Sequence, residues 1–188
     1  MRKIFCLETE WNMSRTRKMR DRTSMLPLLT FLEESSKIEF VFRNVASRND
    51  LQYYLSQLRY KTYDQFEIVY FAFHGITRSI DIPSEPENPL ELTELAELSN
   101  GLLKNRIIHF GSCRTLNTSD RIINEFKIAS GARIVSGYTK TIDFVKSSIL
   151  DIAYFSEIQR SSKVHTLKSR IHRSYGSLAT ELGFKLFL

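Results

Sequence analysis

The chain has 188 residues, of which 42% are hydrophobic and 26% are charged. This balance is typical of a folded globular protein and excludes a disordered tail. The length is that of one domain with a full hydrophobic core, so we expect residues 1–188 to form a single domain. The net charge is +6. Because the basic residues are mostly scattered, we do not expect nucleic acid as a partner.

The N-terminus gives no sign of export or membrane insertion. Only residues 4–7 form an apolar run before the first acidic residue, which is too short for a signal-peptide core. The sequence contains no run that would span a membrane, so we expect no membrane partner. Cys6 and Cys113 are the only cysteines, too few for a disulfide framework, and we expect a reducing compartment, the cytoplasm.

Short apolar runs alternate with segments in which apolar residues recur at helical spacing. The predicted strands lie at 3–7, 37–45, 66–75, 105–113, 131–139 and 184–188. The predicted helices lie at 24–35, 49–61, a segment ending near 100, 117–130, 144–160 and 164–182. Residues 79–92 carry three prolines and four acidic residues, and we expect a loop or insertion there.

The strand at 66–75 is the clearest in the chain, because it is apolar nearly throughout and rich in aromatic and β-branched residues. Strands that are apolar on both faces belong in the middle of a parallel sheet covered by helices. The alternation therefore predicts an α/β fold, a three-layer sandwich with a mostly parallel sheet of about six strands flanked by helices.

Two reactive side chains lie at the ends of predicted strands. His74 and Gly75 end one strand, and Cys113 ends another behind Gly111. Functional groups collect at the carboxyl ends of the strands in open parallel sheets, so neighbouring strands would bring both side chains to one edge. A histidine beside a cysteine forms a nucleophile and an acid/base pair. The glycines would allow main-chain N–H groups to approach a developing oxyanion.

The string YFAFHG, whose histidine precedes the cysteine of IIHFGSC by 39 residues, resembles the His-Gly and Cys motifs of caspase-like (clan CD) cysteine peptidases. The order of strands and helices fits that superfamily from Lys3 to about Arg160. The caspase string Gln-Ala-Cys-Arg-Gly is absent. Residues 111–115 read Gly-Ser-Cys-Arg-Thr, closest to the small-small-Cys pattern of CHAT-type bacterial members. This departure argues against a true caspase and against cleavage after aspartate.

The resemblance implies that Cys113 is the nucleophile and that His74 protonates the leaving amine. It also implies an oxyanion hole formed by the backbone N–H groups of Gly75 and Cys113. The substrate pocket would come from loops that follow the strands. Its candidate residues are Tyr138 and Asp143 in the segment 136–144, and Arg114 beside the nucleophile, with Asp143 able to pair with a basic P1 side chain.

Other cysteines, histidines and charged runs have simpler interpretations. Cys6 is expected in the core, and His109 is expected to be a core histidine rather than half of a metal pair, because no further ligands cluster near it in the sequence. His165 and His172 lie in a basic helix and are expected to face solvent. The run 15–22 holds five basic residues. Such a run is more often a solvated loop, and the alternative is a binding segment for a phosphate-rich or acidic partner.

Two hypotheses for function follow. The first is a cysteine endopeptidase with a His–Cys dyad, no cofactor and a protein or peptide substrate, of the kind that serves in bacterial defence or regulated proteolysis. The second is a non-catalytic binding or scaffolding module on the same fold, since fold does not fix function. Because the short chain leaves little room for a regulatory domain, we expect activation to depend on a protein partner, on homo-oligomer formation or on a small signal.

Overall fold

The computed structural model describes residues 1–11, 22–160 and 164–188, with the side chains of 164 and 165 left out. Nine strands are present in these ranges: β1 Ile4–Glu8, β2 Phe40–Asn44, β3 Ile68–Ala72, β4 Gly75–Ile76, β5 Ser79–Ile80, β6 Leu90–Glu91, β7 Ile107–Phe110, β8 Ile134–Tyr138 and β9 Phe184–Phe187. The α-helices are α1 Leu26–Ser36, α2 Arg48–Gln57, α3 Leu92–Ser99, α4 Asp120–Ser130, α5 Phe144–Arg160 and α6 Val164–Leu182.

Six strands form the central sheet in the order β2-β1-β3-β7-β8-β9. All neighbouring pairs are parallel except β8 with β9, which is antiparallel. The predicted mostly parallel sheet of about six strands is therefore confirmed, with the C-terminal segment as its edge strand. Because β1, β2, β3, β7 and β8 run in the same direction, their carboxyl ends lie at one edge of the sheet.

Each face of the sheet has its own hydrophobic core, because alternate residues of a strand point to opposite faces. Phe5 of β1 and Phe71 of β3 pack in the core under α2, α3 and α4. Their neighbours Ile4 and Tyr70 pack in the core under α1, α5 and α6. The two cores explain why the central strands are apolar throughout, and they confirm the three-layer arrangement.

Helices α2 and α4 begin where a side chain satisfies a free backbone N–H group. Ser47 and Asp50 form a capping box at the start of α2, and Ser119 accepts a hydrogen bond from the Ile122 N–H at the start of α4. At its other end, α4 stops at Gly131, which adopts a left-handed conformation with φ of 69°. These local signals fix the lengths of the helices that cover one face of the sheet.

The segment 79–92 is more ordered than the predicted loop. Its β5 and β6 join β4 in a small antiparallel sheet of three two-residue strands. Strands of two residues carry no periodicity, so the prolines and acidic residues alone gave the prediction of a loop. The small sheet matters because β4 starts immediately after His74.

The remaining predictions for individual side chains have mixed outcomes. Cys6 is fully buried, as expected, and burial raises its thiol pKa well above the ordinary value of 9.0. His109 is a fully buried core histidine whose Nε2 lies 2.8 Å from Asp151 Oδ1. His172 is exposed, whereas the side chain of His165 and the basic run, apart from Arg22, lie outside the described residues. Over the ranges that the structure describes, no helix has the length and apolarity needed to cross a bilayer.

Candidate active site

The strands that carry the histidine and the cysteine are direct neighbours. β3 and β7 are paired in parallel from Ile68 opposite Ile107 to Phe71 opposite Phe110. The chain then continues to His74 on one side and to Cys113 on the other, both beyond the carboxyl ends of their strands. The two side chains therefore leave the same edge of the sheet.

Gly75 brings these two segments into direct contact. A Cβ placed on Gly75 would lie 2.4 Å from Thr115 Oγ1, 2.8 Å from the Cys113 carbonyl oxygen and 3.0 Å from Ser112 Cβ. Real Cβ contacts do not come this close, so only glycine allows the backbone after His74 to pack against the loop that carries the cysteine. The pattern His-Gly in the sequence thus has a steric cause.

A tryptophan carbonyl fixes the orientation and the tautomer of the histidine. His74 Nε2 lies 2.6 Å from the Trp11 carbonyl oxygen. A carbonyl only accepts, so Nε2 carries a proton and donates it, and in the neutral ring Nδ1 holds the lone pair. The Trp11 indole also packs edge-on against the imidazole, with 5.4 Å between the ring centroids. Nδ1 is consequently the atom available for proton transfer.

Glu8 holds Trp11 in this position. Its buried carboxylate accepts hydrogen bonds from Trp11 Nε1 at 2.8 Å, from Ser24 Oγ at 2.7 Å and from the Met25 N–H at 2.6 Å. Burial raises the pKa of the Glu8 carboxyl, and the three hydrogen bonds oppose that rise. The single carboxylate therefore ties the end of β1 to the start of α1 and to the residue that orients His74.

The cysteine side chain lies against the segment that leads into α5. Cys113 is half-buried, and its Sγ accepts a hydrogen bond from the Ile142 N–H at 3.5 Å. Two residues later, the Phe144 ring packs edge-on against Trp11 at 5.3 Å between centroids. Cys113 therefore contacts the segment before α5, and the start of α5 contacts Trp11. Trp11 in turn contacts His74, whose neighbour Gly75 packs against the Cys113 loop.

Two backbone N–H groups at this edge have no hydrogen-bond acceptor among the residues that the structure describes. The Asp81 N–H donates to the His74 carbonyl at 2.9 Å, which makes Gly75 and Ile80 a non-hydrogen-bonded pair of the β4–β5 ladder. The Gly75 N–H is therefore outside the ladder. Nor does the Cys113 N–H donate to a carbonyl of any residue in the described ranges. Both groups are available to a ligand.

The structure corrects the predicted substrate pocket at Tyr138. This side chain is fully buried under α5, where its hydroxyl donates to Asp151 and to the Ser147 carbonyl, so it belongs to the core and cannot line a pocket. Asp143 is exposed, but its Oδ1 accepts the Lys146 N–H at 2.9 Å and caps α5. Arg114 is exposed beside the cysteine, with a left-handed φ of 57°.

A cleft of about 470 Å³ opens at the same edge of the sheet, beyond the ends of β1 and β2. Its lining includes Glu8, Thr9, Trp11, Ser24, Asn44 and Ala46. A larger cavity, of about 760 Å³, lies between α6 and β9. Neither the cleft nor this cavity is lined by His74 or Cys113. Trp11 lines the smaller cleft and also contacts His74, so the cleft lies beside the histidine. Within the described ranges, no group of three or more His, Cys, Asp or Glu side chains is placed to hold a metal ion.

Comparison with known families gives one match over the whole chain. The model of a family of unknown function, DUF6642, matches residues 1–188. The chain belongs to the DUF6642 family. A search of curated proteins with the sequence of this DUF6642 member found no significant match.

Among solved structures, the DUF6642 chain is similar to a secreted C11 cysteine protease from Bacteroides thetaiotaomicron, determined in complex with an irreversible peptide inhibitor. The TM-score is 0.60 at 9% sequence identity, and the match covers 96% of this chain and 60% of the protease. The DUF6642 chain thus spans less than two thirds of that protease. The similarity establishes a caspase-like α/β fold, whereas the predicted likeness to CHAT-type members in particular stays a prediction.

Sequence reasoning did not identify Glu8 or Trp11 as part of this site. Glu8 ends β1 and Trp11 follows it, and β1 lies beside β3. Since functional groups collect at the carboxyl ends of parallel strands, the end of β1 would have indicated both residues. The contact between Trp11 and His74 joins residues 63 positions apart, and the sequence around either residue does not predict it.

We expect Gly75→Ala to disrupt the site more than the fold. The added methyl group would force the loop 112–115 away from β4, at a cost of about 1–3 kcal/mol in the free energy of unfolding. Reaction of Cys113 with iodoacetamide, followed by mass spectrometry, should change in rate, while circular dichroism should still report a folded chain. Gly176→Ala is the control, because its Cβ would meet only the flexible His172 side chain at 3.3 Å. An unchanged Cys113 rate in Gly75→Ala would contradict the assigned contact.

Proposed function

We propose that this chain is a cysteine peptidase in which His74 and Cys113 form the catalytic dyad and a peptide or protein is the substrate. The observation that carries the proposal is the packing of Gly75 against the Cys113 loop at the carboxyl ends of two paired strands. This packing delivers an imidazole and a thiol to one edge of a caspase-like sheet, as nucleophilic catalysis requires.

The orientation of His74 supports its role as the general acid. Because Nε2–H is held by the Trp11 carbonyl, Nδ1 is left to exchange a proton with the thiol and the substrate. The Cys113 thiol gives its proton to Nδ1, and the resulting thiolate is the attacking species. The hydrogen bond from the Ile142 N–H favours negative charge on that sulfur.

The chemical steps then follow from the positions of the groups. The thiolate forms a bond to the peptide carbonyl carbon, and the carbonyl oxygen becomes an oxyanion, for which the free Gly75 and Cys113 N–H groups are the donors. The C–N bond breaks as Nδ1–H protonates the departing amine. Water then adds to the thioester, its proton passes to Nδ1, and the second product leaves as a carboxylic acid with the thiolate restored.

A thiol-reactive peptide probe tests the proposal without knowledge of the natural substrate. We expect a mixture of peptidyl acyloxymethyl ketones to form one adduct, on Cys113, and His74→Ala to slow the labelling by about 100-fold. Cys6 is fully buried and serves as an internal control, since it should label only after unfolding. Equal labelling of Cys113 with and without His74 would favour a binding module over an enzyme.

A further inference from the structure

The order of the strands indicates the direction in which a bound peptide runs. Along the sheet edge, β7 leads to Cys113 and β3 leads to His74, and β1 and β2 follow on the far side of His74. In the proposed mechanism the thiolate attacks the carbonyl carbon and His74 protonates the amide nitrogen. The bond from that carbon to that nitrogen therefore points from β7 towards β3, and the segment that leaves as the amine extends past His74 towards the ends of β1 and β2.

The cleft of about 470 Å³ lies in this direction, beyond the ends of β1 and β2. Trp11 lines the cleft and contacts His74 through both its carbonyl oxygen and its indole ring. Neighbouring strands are about 4.8 Å apart, which puts β1 and β2 about 5 and 10 Å beyond β3. Since an extended peptide advances about 3.4 Å per residue, the cleft is within reach of the second and third residues after the scissile bond.

One buried hydroxyl in the cleft lacks a hydrogen-bond partner among the described residues. Thr9 directly follows β1, lines the cleft and is only 3% exposed, and its Oγ1 is the atom without a partner. The buried Glu8 carboxylate of the same cleft, by contrast, already accepts three hydrogen bonds. A buried hydroxyl without a partner costs the folded state free energy, and a ligand that supplies the missing hydrogen bond removes that cost.

Three large apolar side chains also line the cleft. Trp11 and Phe42 are half-buried, and Leu26 at the start of α1 is 40% exposed. The exposed charged residues of the lining, Glu10 and Arg22, have opposite signs and do not favour a ligand of one charge. Apolar walls with a few polar groups are the usual form of a site that binds an apolar group and orients it by hydrogen bonds.

We propose that this cleft binds the leaving segment of a peptide substrate. A large apolar side chain, two or three residues after the scissile bond, packs against Trp11 and Leu26, and a backbone amide of the substrate forms a hydrogen bond with the Thr9 hydroxyl. The inference rests on the proposed function, which sets the direction of the substrate. It assigns part of the substrate specificity to residues that follow the scissile bond.

Trp11 is the only tryptophan in the sequence, so its fluorescence reports directly on the cleft. The test is a titration of Cys113→Ala, which lacks the thiol, with the peptide amides Gly-Leu-Leu-Gly and Gly-Asp-Asp-Gly. We expect a saturable change in Trp11 fluorescence with the leucine peptide, and binding at least several-fold weaker with the aspartate peptide. Thr9→Val should weaken binding of the leucine peptide about fivefold, because one hydrogen bond is lost. The matched control is Thr93→Val, which removes an exposed hydroxyl on α3 and should bind as before.

The stability of Thr9→Val separates a ligand contact from a structural one. The variant keeps the size of the side chain and removes a buried hydroxyl without a partner, so its midpoint of urea unfolding should stay the same or rise. Leu26→Glu is a second variant, since it places a charge on the apolar wall at a helix start that favours acidic side chains, and it should also weaken binding.

The inference would be overturned by any of three results. These are no saturable fluorescence change with the leucine peptide, unchanged binding in Thr9→Val or Leu26→Glu, and a lower unfolding midpoint in Thr9→Val. Labelling of Cys113 by the peptidyl acyloxymethyl ketones, with and without His74, is measured in parallel. Labelling that does not depend on His74 would refute the dyad, while the fluorescence titration still decides whether the cleft binds a peptide.

Discussion

Cys113→Ser is expected to lower peptide hydrolysis by a factor of about 10⁴ or more, the usual result of removing the nucleophile of a covalent peptidase. The hydroxyl of serine occupies the same position but is a far weaker acid than a thiol, so it gives up its proton to an imidazole much less readily. Hydrolysis would be measured on a peptide library derived from whole-cell protein, with new N-termini counted by mass spectrometry.

His74→Ala and the double variant His74→Ala/Cys113→Ser test whether the two residues act together. If the two residues act as one unit, the double variant should be no slower than the slower single variant, because effects within a catalytic unit are strongly non-additive. Cys6→Ala controls for loss of a thiol elsewhere, and its hydrolysis should remain within a few-fold of the unsubstituted chain since Cys6 lies in the core away from the strand ends. Hydrolysis that survives in Cys113→Ser would exclude Cys113 as the nucleophile.

The sequence was sufficient for the sheet because burial on both faces leaves a strong signal. The segments around β3 and β7 are apolar without alternation, which occurs in central parallel strands, and the position of His74 and Cys113 after them predicted a shared edge. The same signal misled at Tyr138. In a strand with two buried faces, a tyrosine near the end looks the same whether it turns toward the pocket or under a helix.

Other parts of the site depend on contacts that no local pattern encodes. Trp11 meets His74 across 63 residues, and Glu8 looks in the sequence like an ordinary acid that ends a strand. The small sheet that begins right after His74 depends on β4 and β5, which pair over two residues each. Elements this short are stabilised by the surrounding fold rather than by their own residues, so their pairing becomes visible only in three dimensions.

A second large effect is expected far from the dyad, in the core under α5. Asp151 is fully buried on that helix and accepts hydrogen bonds from Tyr70 at 2.7 Å and from Tyr138, while His109 Nε2 lies 2.8 Å away. Burial, followed by the negative charge of Asp151, raises the pKa of both phenols well above 10.0, so both remain neutral donors. One carboxylate therefore joins β3, β7 and β8 to the helix that covers them.

Asp151→Ala should destabilise the fold by about 3–5 kcal/mol, because it leaves buried donors without their acceptor. The free energy of unfolding of an ordinary domain is about 5–15 kcal/mol, so this loss is a large part of the total. Urea unfolding followed by circular dichroism measures the change. Asp120→Ala is the control, since Asp120 forms an exposed pair with Lys185 and its loss should cost less than about 1 kcal/mol.

A double-mutant cycle separates the lost hydrogen bond from simple loss of volume. Tyr70→Phe should be destabilising in the unsubstituted chain, where it removes a donor from Asp151, and nearly neutral or stabilising in Asp151→Ala, where it removes a donor that has lost its acceptor. Equal effects of Tyr70→Phe in both backgrounds would mean that the two side chains act independently. The cycle thus tests whether the polar groups of this core act together, in the layer that supports β3 and β7 and hence the positions of His74 and Cys113.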